Sequence, residues 1–209
     1  GEQNPLDNNF RINGISYEKN SDGKTVTITG ATANANTIPD SITYAGIHYA
    51  VTSVSYNALD SMKYVHIPAS VLNIDYYNYL HGNIERFDVD SLNQNYASLD
   101  GILYDKKYSK IIYVPAKIKG RISLHDNLMM SKYDFTNRQI TSATIPANIT
   151  LEDDDSSFFY CSNLQSVYSY SKNPVGNWQS AFYGDSMATL YVPLGTKSLY
   201  VKQGADKSF

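Results

Sequence analysis

The sequence predicts a mainly β fold in which the chain winds into a solenoid of short coils, with short helical turns between the strands. Three observations predict it: aliphatic residues repeatedly precede proline, similar segments recur along the chain, and their spacing is nearly constant. Proline has no N–H to donate to a strand ladder, so an aliphatic–proline pair marks a strand end. Five of the seven prolines form such pairs, namely Ile38-Pro39, Ile67-Pro68, Val114-Pro115, Ile145-Pro146 and Val192-Pro193.

The segments before these prolines alternate apolar and polar residues, which is the pattern of a strand buried on one face. "SMKYVHIPASV" (61–71), "QITSATIPANI" (139–149) and "MATLYVPLGT" (187–196) share the pattern, and "NLQSVYSYSKN" (163–173) keeps it without the proline. The alternation predicts which side chains point into the core. They are Val65, Ile67, Ala143, Ile145, Leu190 and Val192.

The strand positions recur at the interval of a short solenoid coil. One series runs through Ile67, Val89 and Val114, and a second runs through Leu124, Ile145, Ser169 and Val192. Every step in both series falls within the repeat length of short solenoid coils, which is about 20 to 29 residues.

The segments between the strands predict short helical turns, because small and aromatic apolar residues recur there three or four positions apart. In "DSSFFYCSNL", Phe158, Cys161 and Leu164 lie three apart on one face of such a turn. A catalytic cysteine needs an activating base, and the histidine nearest to Cys161 in the sequence is the distant His125. We therefore expect Cys161 to pack in the core as a small hydrophobic side chain.

Two segments predict β-hairpins instead of coils. Residues 98–116 contain the strand-like runs "GILY" and "KIIYV" around a polar turn at 105–109. Residues 13–33 have the same form, with a turn at Ser21-Asp22-Gly23. The second hairpin is terminal, so we expect it to cap the first coil and protect its edge from pairing with other chains.

These residues resemble the BspA-like leucine-rich repeat proteins of bacterial cell surfaces. "HIPASVLNI" (66–74) is similar to the strand and turn of that repeat, and "SFFYCSNLQSV" (157–167) to its Ala-Phe-x-x-Cys-x-x-Leu turn. The resemblance covers residues 14–209 and includes the linker "YAVTSVSYNAL", the hairpin and the C-terminal segment "LYVPLGTKSLYVKQGADKSF". The chain departs from the pattern at Ala58-Leu59, which replaces Ala-Phe, and at Asp206, where the cap usually has Trp.

The resemblance implies a curved, right-handed solenoid with strands in a continuous sheet and helical turns on the other side. It also implies an exported or surface-anchored protein used for interaction or adhesion, and it carries over no catalytic residues. We expect one domain over 1–209: an N-terminal hairpin cap at 10–37, repeats at 38–193 with the hairpin at 98–116, and a C-terminal cap at 194–209.

Composition excludes several classes of function. The net charge of −3 provides no overall basic field for nucleic acid. No apolar run approaches the roughly 18 residues of a transmembrane helix, and one cysteine permits neither an internal disulfide nor a multi-cysteine zinc site. Since the chain begins Gly-Glu-Gln, we expect a trimmed chain, which is compatible with a lipid anchor on a preceding leader.

The sequence contains no strong catalytic or metal-binding motif, so we predict no enzyme, cofactor or metal site. The acidic run at 152–155 lacks the spaced ligands of a calcium loop and is typical of a solvated turn. Asp88 and Asp90 flank Val89 without a feature that would separate their pKa values. The histidines, His48, His66, His81 and His125, have no metal-ligand spacing. Asn148-Ile149-Thr150 fits an N-glycosylation acceptor.

Tyrosine accounts for 19 of the 27 aromatic residues. A tyrosine ring is apolar with a polar tip, which suits a half-exposed sheet or a binding surface. Alternation places a row of aromatic and imidazole side chains on the outward face of the strands: Tyr64, His66, Tyr113, Tyr168, Tyr170 and Tyr191. The row is either a binding surface or a cross-strand ladder that only stabilises the sheet. Trp178 is either an exposed anchor or a core residue.

The leading hypothesis from the sequence is a non-enzymatic, exported repeat protein that recognises a host or bacterial surface protein through this tyrosine-rich face. The alternative is a carbohydrate-binding module for surface glycans, because stacked tyrosines suit sugar rings as well as proteins.

Overall fold

The computed structural model describes residues 2–35, 37–75, 82–126, 128–130, 134–136, 138–151, 157–158, 160–185 and 187–209. Within this part of the chain the fold is mainly β, as the sequence predicts. No helix among these residues is long and apolar enough to cross a bilayer.

The N-terminal strands pair in one six-stranded sheet. It contains β1 (Asn9–Ile12), β2 (Ile15–Lys19), β3 (Thr25–Ala31), β4 (Ser41–Tyr44), β5 (Ile47–Val54) and β7 (Asn73–Ile74). The strand order is β1-β2-β3-β5-β4, and β7 also pairs with β5. β1, β2 and β3 are antiparallel, whereas β3, β5 and β7 are parallel. The predicted terminal hairpin is confirmed as β2–β3, and its turn is closed by Asp22, whose carboxylate accepts from the N–H groups of Lys24 and Thr25.

The predicted inserted hairpin is also confirmed, with one strand more than expected. It comprises β9 (Tyr96–Leu99), β10 (Ile102–Asp105) and β11 (Ile111–Tyr113), which form an antiparallel sheet. The side chain of Asp105 closes the turn, accepting from the hydroxyl of Ser109 at 2.7 Å and the N–H of Lys110 at 2.8 Å.

Parallel strands on either side of this hairpin carry the coil repeat. β6 (Tyr64–Ile67) pairs with β8 (Arg86–Val89), and β12 (Lys119–Ser123), β13 (Gln139–Ile145), β14 (Ser166–Ser169) and β15 (Thr189–Tyr191) form a four-stranded sheet. Ile67 aligns with Val89, and Ser123 aligns in turn with Thr144, Tyr168 and Tyr191. The coil interval that the sequence predicts is therefore the register of these strands.

Val114 does not occupy the coil position that the sequence spacing predicts. It directly follows β11, whose described partner is the antiparallel strand β10. Val114 is nevertheless buried, because the hairpin packs over the core. An aliphatic–proline pair thus marks a strand end here, but the strand belongs to the hairpin.

The six predicted core residues of the strands all pack inward, and they divide between two clusters. Val65 and Ile67 belong to an N-terminal cluster, which also contains Leu103 and Tyr113 of the hairpin. Ala143 and Ile145 belong to a C-terminal cluster, against which Leu190 and Val192 pack half-buried at the last coil. Ile67 therefore lies in a different cluster from Ile145 and Val192, and the hairpin contributes residues to both clusters.

The helical turns pack against the C-terminal cluster as predicted. Phe158, Cys161 and Leu164 are buried, and the Cys161 thiol donates to the carbonyl oxygen of Phe135 at 3.0 Å. Stacked rings follow the turns from coil to coil, with centroids 4.9 Å apart between Phe135 and Phe158 and 4.8 Å apart between Phe158 and Phe182. We call Phe135, Phe158 and Phe182 the phenylalanine ladder.

Two short helices follow: α1 (Trp178–Ala181) and α2 (Lys197–Lys202), with a final 3₁₀ turn at Ala205–Lys207. The structure resolves the alternatives for Trp178, which is 2% exposed and packs against Phe182 and Tyr200. The Tyr200 hydroxyl of α2 lies 2.7 Å from the Ser169 hydroxyl of β14 and donates to the carbonyl oxygen of Ser171, which follows that strand. The division of the chain at residues 37–38 and 193–194 into caps and repeats stays a prediction.

Candidate interaction face

The outward face is the solvent side of β6, β8 and β12–β15. At its C-terminal end, the inward Val167 of β14 is followed by Tyr168, and the half-buried Leu190 of β15 by Tyr191. Because Tyr168 and Tyr191 are register partners, their rings stack with centroids 4.7 Å apart and planes 11° apart. Tyr168, Tyr191 and the neighbouring Tyr170 are 40%, 49% and 61% exposed. We call these three residues the tyrosine patch.

The N-terminal end of the outward face carries Tyr64 and His66 in a polar setting. The Tyr64 hydroxyl donates to Glu85 at 3.2 Å, and the Lys63 ammonium lies 3.3 Å from the same carboxylate. The hydrogen bond and charge of Glu85 raise the pKa of Lys63. His66 Nδ1 lies 3.0 Å from the Asp88 carboxylate. These contacts link β6 to β8 and separate this region chemically from the tyrosine patch.

Tyr113 is not part of the outward face, which corrects the sequence prediction. Its side chain is fully buried and meets the Phe87 ring edge-on, with centroids 5.2 Å apart. Burial raises the pKa of Tyr113 to about 12. The reason is that β11 belongs to the antiparallel hairpin, whose register with β10 shifts at Leu103/Tyr104, so the alternation of the coil strands does not extend to it.

The structure also brings together basic residues that the sequence reasoning missed. Arg86 of β8 and Lys117, Lys119 and Arg121 around β12 are exposed near Tyr64. The four basic residues line two adjoining surface pockets, here called hollows. Glu85 and Lys119 line both of them. A signal exists in the sequence, because "KIKGR" places three basic residues, 117, 119 and 121, within five positions.

The other candidate groups do not assemble into a reactive site. Burial raises the pKa of the Cys161 thiol to about 12, so it is protonated at neutral pH and weakly nucleophilic. Asp88 contacts His66, whereas the Asp90 carboxylate accepts from the N–H of Leu92, so the two carboxylates have separate partners.

The remaining candidate metal ligands do not lie together. The His125 ring stacks on Tyr108, and His48 is exposed on β5. Asn148, the candidate glycosylation acceptor, is also exposed. His81 and the acidic run at 152–155 lie outside the described residues. In the described ranges, no group of three or more His, Cys, Asp or Glu side chains is placed to hold a metal ion.

Comparison with known proteins gives matches among solved structures only. No protein-family model matches the chain, and no curated protein does. A leucine-rich repeat protein from Eubacterium ventriosum matches with 16% identity and a TM-score of 0.37, covering 86% of this chain and 76% of that one. A leucine-rich cell surface protein from Faecalibacterium prausnitzii matches with 11% identity and a TM-score of 0.34, covering 96% and 98%. The pneumococcal vaccine antigen PcpA matches with 12% identity and a TM-score of 0.35, covering 88% and 81%.

The chain is a β-solenoid, and its structural neighbours are bacterial leucine-rich repeat proteins. The solenoid is established by its own strand register, in which successive coils pair in parallel over β12 to β15.

Proposed function

We propose that the protein is a non-catalytic recognition module that binds a partner protein through the tyrosine patch. The observation that carries the proposal is the stacked, exposed pair of Tyr168 and Tyr191 beside the more exposed Tyr170. Tyr168 and Tyr191 lie on paired strands, and Tyr170 follows β14 directly. The strand pairing fixes the spacing of the stacked rings before a partner arrives.

Exposed tyrosines suit a binding surface on energetic grounds. A tyrosine has few rotatable bonds, so it presents a large contact area at a low cost in side-chain entropy. The stacked pair contributes only about 0.2 to 1 kcal/mol to the sheet as a cross-strand pair. Covering the rings with a partner would remove apolar surface from water, at about 25 cal/mol per Å². Burial of the exposed rings in a complex would therefore favour binding.

The chemistry of the described titratable groups supports a role without catalysis. The single thiol is buried and protonated, and the outward face carries the Lys63–Glu85 ion pair and the His66–Asp88 contact, both at the surface. An exported, bacterial cell-surface location belongs to the same proposal, and it is supported by the resemblance of the repeat sequence to that class of protein.

A variant pair tests the protein-binding role. Immobilised wild type, Tyr168→Ala/Tyr191→Ala and the control Tyr160→Ala/Tyr183→Ala would be exposed to bacterial and host-cell surface proteins, and bound proteins quantified by mass spectrometry. The control removes Tyr160 and Tyr183, which are 49% and 50% exposed. Their rings also contact each other between successive coils, but on the side of the helical turns. We expect at least one protein to bind wild type and control equally and the patch variant at least about tenfold less. Identical sets of bound proteins on the wild type, the patch variant and the control variant would contradict the proposal.

Glycan recognition by the same patch is the second candidate, favoured by the near-parallel rings, whose planes are 11° apart. A glycan array with wild type and Tyr168→Ala separates the two. Sugar binding that is lost in the variant, without any protein captured, would replace the first proposal with the second. Absence of sugar binding would remove the second.

A further inference from the structure

Four exposed cations on the outward face have no ion pair with any of the residues that the structure describes. They are Arg86, Lys117, Lys119 and Arg121. Lys63, close by, is paired with Glu85. Cations that lie together repel one another. Glu85 offsets part of that repulsion, because its carboxylate interacts with both Lys63 and Lys119, and an anionic ligand relieves the rest.

Three of these cations come from one short segment at the start of β12. Lys117 lies in the turn before the strand, Lys119 is its first residue, and Arg121 follows an irregularity in the register at Gly120. Lys117 and Lys119 flank the buried Ile118, and all three cations are exposed. The carbonyl of Ile84 accepts from the N–H of Lys117, which joins this segment to the one that leads into β8.

The cations line two adjoining hollows, which we call the basic groove. One hollow includes Lys63, Lys117 and Lys119, the other includes Arg86, Lys119 and Arg121, and Glu85 lines both. Five basic and two acidic side chains, Glu85 and Asp100, line the groove, which gives a formal charge of +3 on a chain whose net charge is −3. Beside it on β8, Asp88 is paired with His66. The groove is therefore a local basic site on an acidic protein.

The uncharged lining of the groove indicates the kind of anion. Tyr64 is 45% exposed and contributes an aromatic ring, and Asn83, Ser61 and Gln139 contribute amide and hydroxyl groups. Aromatic rings pack against the apolar faces of sugar rings, and amides and hydroxyls bond their hydroxyl groups. Arg and Lys side chains bind carboxylate and sulfate groups through charge-assisted hydrogen bonds.

From charge complementarity and this lining, we propose that the basic groove binds an anionic polysaccharide with carboxylate or sulfate groups on its sugars. The groove is a different site from the tyrosine patch, so this binding does not depend on the proposed partner protein. Anionic groups of the polymer lie against Lys117, Lys119, Arg121 and Arg86, and a sugar ring lies against Tyr64.

Two pairs of polymers test the proposal by biolayer interferometry or calorimetry with the full chain. The pairs are polygalacturonate with its methyl ester, and dextran sulfate with dextran, so the members of each pair share a sugar backbone and one of them is uncharged. We expect saturable binding to at least one charged polymer and none to its uncharged partner. Binding should weaken strongly when ionic strength rises from about 0.1 M to about 1 M, because the Debye length falls from about 10 Å to about 3 Å.

Variants locate the binding. Lys119→Gln/Arg121→Gln should lower the affinity for the charged polysaccharide at least about tenfold. The control Lys197→Gln/Lys207→Gln removes the same charge from exposed positions in the C-terminal segment and should change the affinity by less than about twofold. Tyr64→Ala should weaken polysaccharide binding, and Tyr168→Ala should not.

Three results would overturn the proposal. They are no binding to either charged polymer, equal loss of binding in the two charge variants, and binding to polyglutamate without binding to either charged polysaccharide. The last result would assign the groove to acidic peptides.

Discussion

Two aromatic stacks follow the same coils, and they differ in where they lie. The phenylalanine ladder is fully buried among the helical turns, with ring planes 7° and 4° apart. The stacked pair of Tyr168 and Tyr191 has nearly the same centroid spacing, 4.7 Å against 4.8 and 4.9 Å, yet it is exposed on the strands.

The comparison shows that stacking alone does not assign a function. The spacing of both stacks matches the distance between adjacent strands, about 4.7 to 4.9 Å, so it is a property of the solenoid. Burial and residue type separate their roles. Phenylalanine fills the dry interior, whereas tyrosine has a polar tip that water or a partner satisfies. The first stack therefore stabilises the fold, and the second is available for binding.

Removing a ring from the buried ladder should give the largest effect. Phe158 lies between Phe135 and Phe182, so Phe158→Ala leaves a cavity with aromatic neighbours on both sides. We expect the free energy of unfolding to fall by about 3 to 5 kcal/mol. Urea unfolding followed by circular dichroism measures it. A loss below about 1 kcal/mol would mean that the ladder is not tightly packed.

A buried carboxyl group near the end of this ladder predicts a pH dependence. Burial raises the pKa of Asp185 to about 8, and the backbone N–H of Cys161 acts in the opposite direction, because it favours the ionised carboxylate. Neither carboxyl oxygen has a hydrogen-bond partner of good geometry among the described residues. Between pH 4 and 8 the unfolded chain ionises this group while the folded chain keeps its proton. The free energy of unfolding should therefore fall as pH rises, by up to about 1.4 kcal/mol per pH unit.

The variant Asp185→Asn should remove this contribution and flatten the slope between pH 4 and 8. Asp206→Asn, a control at an exposed carboxylate, should leave the slope unchanged. Urea unfolding at several pH values measures both. Equal slopes for wild type and Asp185→Asn would show that Asp185 is ionised in the folded protein.

The smallest effect on stability is expected in the tyrosine patch. Tyr168→Ala removes one member of an exposed cross-strand pair, which is worth about 0.2 to 1 kcal/mol. Under the conditions used for Phe158→Ala, the loss should stay within that range. A loss of several kcal/mol would assign Tyr168 to the structural core and remove the contrast between the two stacks.

The sequence predicts the coil repeat well because proline and alternation act locally. Ile67 and Ile145 end strands, and the coil spacing equals the observed register. Tyr113 departs from the predicted alternation because it belongs to the inserted hairpin. Local sequence patterns do not reveal how a hairpin packs on other coils. The burial of Trp178 depends on Tyr200 and Phe182, contacts that no local pattern contains.

The candidate site was predicted in part for the same reason. Tyr168 and Tyr191 belong to regular coil strands, so their outward direction follows from alternation. The basic groove joins residues of three separate segments, around Lys63, Arg86 and Lys119, and only the folded chain brings them together.

The central claim is that the coils present Tyr168, Tyr170 and Tyr191 to solvent while the hairpin buries Tyr104 and Tyr113. Hydroxyl-radical footprinting of the free protein, with oxidation quantified at each tyrosine by mass spectrometry, tests this claim most directly. We predict that the three patch tyrosines are oxidised at least about tenfold faster than Tyr104 and Tyr113, because reaction at buried rings requires local opening. Oxidation of Tyr113 as fast as Tyr168 would contradict it.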